Sequence, residues 1–85
     1  MVAISFQFAE SVSKPIQDEV LKKIRQWTGV KHVGPIDPAT DDELVARMCM
    51  AETQDGPLVD HLIDDLRRLP GIQDVATTPT RQLIW

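Results

Sequence analysis

Eighty-five residues with a mass of 9.6 kDa make one domain, taken as residues 1–85, and leave no room for a second. An apolar fraction of 42% is enough for a compact core and argues against wholesale disorder. The 9 Lys and Arg are outweighed by 13 Asp and Glu, and a net charge of -4 disfavours a binder held to nucleic acid through phosphates. A single cysteine closes no internal disulfide. No apolar run reaches the roughly 18 residues of a membrane span, and no basic stretch precedes an apolar one at the N-terminus. The expectation is a soluble, cytoplasmic domain with neither nucleic acid nor membrane as partner.

Residues 2 to 8, Val-Ala-Ile-Ser-Phe-Gln-Phe, alternate with period two and predict a half-buried strand. Ser13 then suits a helix N-cap, and Pro15 falls in the first turn, where a missing N–H does no harm. Ile16, Val20, Ile24 and Trp27 form the helical stripe, and Gly29 can take the left-handed position after it. Val33 begins the next strand, which contains Pro35. Beyond it Thr40-Asp-Asp-Glu43 is a capping-box pattern that would start a short helical turn.

An internal repeat governs the reading from there. Slid against itself so that Gly29 falls on Gly71, the chain matches residues 2–37 to residues 44–79 without a gap. Seven pairs are identical, among them Pro15/Pro57, Asp18/Asp60, Arg25/Arg67 and Val33/Val75. Chance would give roughly two. The match predicts a strand over residues 44 to 50, with Leu44, Ala46, Met48 and Met50 facing inward like Val2, Ile4, Phe6 and Phe8. Asp55 and Pro57 then open a second helix on Leu58, Leu62, Ile63, Leu66 and Leu69. Leu69-Pro-Gly71 stops it before the final strand.

Strand-helix-strand twice predicts an α+β, ferredoxin-like βαββαβ sandwich: a four-stranded antiparallel sheet with two helices on one face and an internal pseudo-twofold. In that topology strands one and three are central. Pro35 and Pro79 fall in strands two and four, where an edge tolerates the missing donor.

On the repeat's register the open sheet face presents Ala3, Ser5 and Gln7 beside Val45, Arg47, Cys49 and Ala51. It offers no aromatic residue on which a base could stack. Met48 and Met50 would point opposite to Cys49, so the three cannot share a soft metal. His32 and His61 read as solvated, and Asp60, Asp64 and Asp65 as a charged helix face. Asp37, Asp41, Asp42 and Glu43 lack the glycine and spacing of a calcium loop. No phosphate loop or Ser-His-Asp grouping is present. The expectation is a non-enzymatic domain without metal or cofactor. Lys22 and Lys23 lie opposite Asp64 and Asp65 in the repeat and would hold the two helices in register. Leu83, Ile84 and Trp85 form an apolar terminus that either closes the core edge or enters a partner's groove.

Residues 60 to 75, Asp-His-Leu-Ile-Asp-Asp-Leu-Arg-Arg-Leu-Pro-Gly-Ile-Gln-Asp-Val, resemble the helix-then-strand segment of subtilisin-type propeptides and their free-standing inhibitor relatives. Those chains carry Leu-x-x-Leu-Pro-Gly-Val-x-x-Val there, and Val30-Lys-His-Val33 resembles their second strand. The resemblance implies a protease inhibitor or foldase that docks its open sheet face, here Ser5, Gln7, Arg47 and Cys49, on a subtilisin-like protease. It further implies that the tail Arg81-Gln-Leu-Ile-Trp85 lies along the substrate cleft. The loop with Asp41, Asp42 and Glu43 would cap helix N-termini of the enzyme. ACT-like ligand-sensing or oligomerisation domains also end a helix in Leu-Pro-Gly-Val. That alternative implies a homodimer with a small molecule at its interface.

Overall fold

The computed structural model describes residues 2–54 and 58–79. Its elements are β1 (Val2–Phe8), α1 (Lys14–Arg25), β2 (Val30–Pro35), α2 (Glu43–Ala46), β3 (Met48–Thr53), α3 (Leu58–Arg68) and β4 (Ile72–Pro79). The strands form one antiparallel sheet in the order β2-β3-β1-β4. α1 and α3 pack against the sheet, which gives the ferredoxin-like layout with β1 and β3 central. Pro35 and Pro79 close the two edge strands. No helix among the described residues is long and apolar enough to cross a membrane.

The period-two pattern of β1 is realised directly. Val2, Ile4, Phe6 and Phe8 are buried, and Ala3, Ser5 and Gln7 are half-buried on the other face. The Phe6 and Phe8 rings meet edge to face, with centroids 5.8 Å apart. Around them lie Leu21 and Ile24 of α1, Leu62 and Leu66 of α3, and Val33 of β2.

Three expectations are corrected. α1 begins after Ser13 with Pro15 in its first turn, but it is rotated so that Gln17 is buried and Ile16 is 52% exposed. Gln17 tolerates the interior because its Nε2 donates to the Val12 carbonyl at 3.0 Å. The strand expected at residues 44 to 50 is a helical turn followed by a strand, and β3 starts only at Met48. Asp42 is responsible: its carboxylate accepts from the main-chain N–H groups of Leu44 (2.9 Å) and Val45 (3.3 Å), so the local capping signal outweighs the repeat. Thirdly, the Lys22 and Lys23 pairing with Asp64 and Asp65 does not form. Among the described residues the one ion pair is Lys14–Asp18 at 3.7 Å, within α1.

The late start of β3 changes the facing of every side chain on it. Ile4 pairs with Ala51 and Phe6 with Cys49, and paired residues share a face. The core-facing set is therefore Cys49, Ala51 and Thr53, and the outward set is Met48, Met50 and Glu52. That is the reverse of the ungapped repeat. An odd shift of register turns a strand over. Leu44 and Met48, expected in the core, are 56% and 43% exposed, and Met50 is half-buried. The repeat holds from the helices onward: Ile24 and Leu66 are both buried, and Gly29 and Gly71 both take positive φ. The expected N-cap Asp55 and the neighbouring Pro57 lie outside the described residues.

Candidate binding face

The register lays the open face out in three rows across the sheet. His32 of β2, Glu52 of β3 and Ala3 of β1 form the first. The second runs Gly34, Met50, Ser5 and Ala76, and the third Met48, Gln7 and Gln73. Only the first row carries formal charge. The rest is small, amide or thioether, a composition suited to close approach by another surface. Ser5 Oγ donates to the Ala76 carbonyl at 3.4 Å, which ties β1 to the edge strand. Next to this contact β4 bulges: Asp74 and Val75 together stand opposite Phe6, and Asp74 takes φ 56°. The bulge lets Val75 pack on the core while Ala76 and Gln73 stay in the outer rows.

The β2–β3 connection borders the third row. Ile36 N–H donates to the Met48 carbonyl at 2.9 Å, so Ile36 sits beside Met48. Ile36, Leu44 and Met48 are three of the exposed large apolar side chains, grouped at this end of the sheet. Asp41 and Glu43 are exposed in the same connection, whereas the Asp42 carboxylate is engaged with α2. Strand directions put this connection at the Phe8 end of β1. β4 ends at the Val2 end, since Val2 pairs with Pro79. β1 separates the two by roughly 20 Å.

Of the side chains expected on this face, Ala3, Ser5 and Gln7 lie there and four do not: Val45 belongs to α2, Ala51 faces the core beside Ile4, and Cys49 and Arg47 are engaged elsewhere. Cys49 is 1% exposed and belongs to the core. Burial pushes its thiol up to about 11, against a smaller opposing pull from the Lys14 ammonium, so it is no nucleophile at neutral pH. Arg47 precedes β3 and turns back. Its guanidinium donates to the carbonyls of Ala9 (2.7 Å) and Val12 (2.8 Å), clamping the β1–α1 connection. Asp41, Asp42 and Glu43 stand at the sheet's end rather than on its face. Leu83, Ile84 and Trp85 lie outside the described residues.

Sequence reasoning missed Met48, Met50, Glu52, His32 and Gly34 as members of the face. A signal for the β3 members was present. Glu52 shares strand parity with Met48 and Met50, and an unpaired carboxylate does not face a helix-covered core. Among the described residues, no group of three His, Cys, Asp or Glu side chains is placed to hold a metal ion. No protein-family model matches the chain, and no curated protein or solved structure matches it.

Proposed function

We propose that this domain is a non-enzymatic protein-binding module that docks by its open sheet face on a subtilisin-like protease, as an inhibitor or folding aid. The observation that carries the reading is the sheet face that α1 and α3 leave open. Two of its three rows are free of charge, it is built of small and thioether side chains, and it continues into an apolar corner at Ile36, Leu44 and Met48. Methionine-rich, charge-poor surface of this kind is typical of interface cores.

The resemblance of residues 60 to 75 to propeptide sequences supplies the identity of the partner. In this reading Met50, Ser5 and Gln7 form the centre of the contact. Asp41 and Glu43 meet helix N-termini of the partner, where a carboxylate is favoured by about 0.3–1 kcal/mol. Asp42 is left out of that role, because its carboxylate caps α2. β4 ends at the far end of the sheet, and a partner touching both ends spans roughly 20 Å. A folded protein does so, and a small molecule does not.

Titration of a subtilisin-type protease with the purified chain tests the reading. Inhibition and a co-migrating complex are expected, with both lost in Met50→Arg while melting is unchanged. Full protease activity at saturating chain, with no complex on size exclusion, overturns it. A stable dimer whose mass or melting responds to free amino acids would establish the ACT-like alternative in its place.

A further inference from the structure

Residues 20 to 36 contain no Asp or Glu, yet hold Lys22, Lys23, Arg25 and Lys31, four of the chain's nine Lys and Arg, together with His32. In a chain with 13 carboxylate side chains this is a marked segregation. A helix C-terminus favours cations, which accounts for Lys22, Lys23 and Arg25 in the last turns of α1. It does not account for Lys31 and His32, which lie on β2.

The fold brings these groups around one cleft of about 510 Å³ between α1 and the edge strand β2. Leu21, Val33 and Pro35 supply apolar lining, and Lys22, Arg25 and His32 stand exposed around it. No ion pair joins those three to an acidic group among the described residues. The one acid at the rim, Asp18, lies 3.7 Å from Lys14. The cleft is at the edge between the helix layer and the sheet, and it meets the open face at His32 and Gly34.

We propose that this cleft is a second binding site, for an acidic, partly apolar peptide segment of another protein. Its carboxylates pair with Lys22 and Arg25, and an apolar side chain between them rests on Pro35 and the accessible edge of Leu21. Recognition is by side chains rather than by added strand. Pro35 has no N–H to give, and Val33 is fully buried, so β2 offers no free ladder there. The cleft has no Phe, Tyr or Trp in its lining to stack a base, and the net charge of -4 repels a long polyanion, which sets nucleic acid aside. The site stands independently of the protease-docking reading.

Fluorescence anisotropy with a short fluorescein-labelled peptide of alternating Glu and Leu, added to the full chain, tests it. Saturable binding is expected, weakened by added salt. K22E/R25E should reduce it roughly tenfold, with melting unchanged. R67E/R68E, at the end of α3, should leave it intact. Should charge reversal prevent folding, K22Q/R25Q gives the same readout. The proposal fails if the acidic peptide does not bind, if a Gln-Leu peptide binds equally well, or if K22E/R25E binds unchanged. Displacement by glutarate at concentrations equal to the peptide's would also overturn it, because the site would then be one for small carboxylates. Tighter binding of a single-stranded oligonucleotide would do the same.

Discussion

Gly71 and Val12 are packed so closely that a Cβ on Gly71 would lie 2.5 Å from Val12 Cγ2, and Gly71 also takes φ 83°. The Gly71 carbonyl accepts from Ala9 N–H at 2.8 Å, so the turn before β4 is docked on the β1–α1 connection. Glycine is required here twice over, by backbone angle and by space. Gly71→Ala is expected to cost about 2–4 kcal/mol, from left-handed strain and overpacking together. Urea unfolding of Gly71→Ala, Val12→Ala and the double variant separates the two. The double variant should recover the packing part and retain the backbone part. Equal stability of Gly71→Ala and the parent would contradict the contact.

Arg47 secures the same connection from the other side. Its guanidinium and the Gln17 amide both donate to the Val12 carbonyl, and Arg47 reaches Ala9 as well. Arg47→Ala should destabilise the fold by about 2 kcal/mol, since two charge-assisted hydrogen bonds are lost at a half-buried site. Arg67→Ala and Arg68→Ala, on exposed α3 positions, should change stability by less than about 0.5 kcal/mol. Chemical denaturation midpoints check the contrast, and parity among the three would show that Arg47 is no clamp.

The facing of β3 predicts a second contrast. Phe6→Ala removes a ring that is 2% exposed and should cost about 3–5 kcal/mol, enough to unfold much of so small a domain. Met48→Ala, on the outer face, should cost under about 0.5 kcal/mol. A heavy loss at Met48 would mean that β3 is turned the other way.

Cys49 predicts a pH dependence. Its thiol is held neutral by burial, and its value rises from an ordinary 9 to about 11 in the fold. The folded state therefore binds the proton more tightly than the unfolded chain does. That contribution is fully present below about pH 9 and is lost as pH rises towards about 11. The chain has no tyrosine to confuse the alkaline limb. Thermal melts from neutral to alkaline pH should show a fall that is smaller in Cys49→Ala, and identical pH profiles would refute burial of the thiol. Thiol reagents should modify native Cys49 only on the timescale of unfolding.

Much of this molecule is legible one residue at a time. The alternation of Val2 to Phe8, the glycines at 29 and 71 and the prolines at 35 and 79 each report a local constraint: a strand period, a positive φ, a missing donor. Local constraints are written in the chain, and together they specify the elements, their order and the central and edge strands. The facing of β3 is different. It depends on where a strand begins, and one helical turn capped by Asp42 moves that start and reverses the parity of residues 48 to 53. The candidate face changes with it. Met48, Met50 and Glu52 enter and Cys49 leaves, because neighbours across a sheet are set by register with Ile4 and Phe6 rather than by sequence spacing. Arg47 is decided at the same level. Nothing near it in sequence predicts that it bonds carbonyls 38 and 35 residues away, and only the closed fold brings Ala9 and Val12 within its reach.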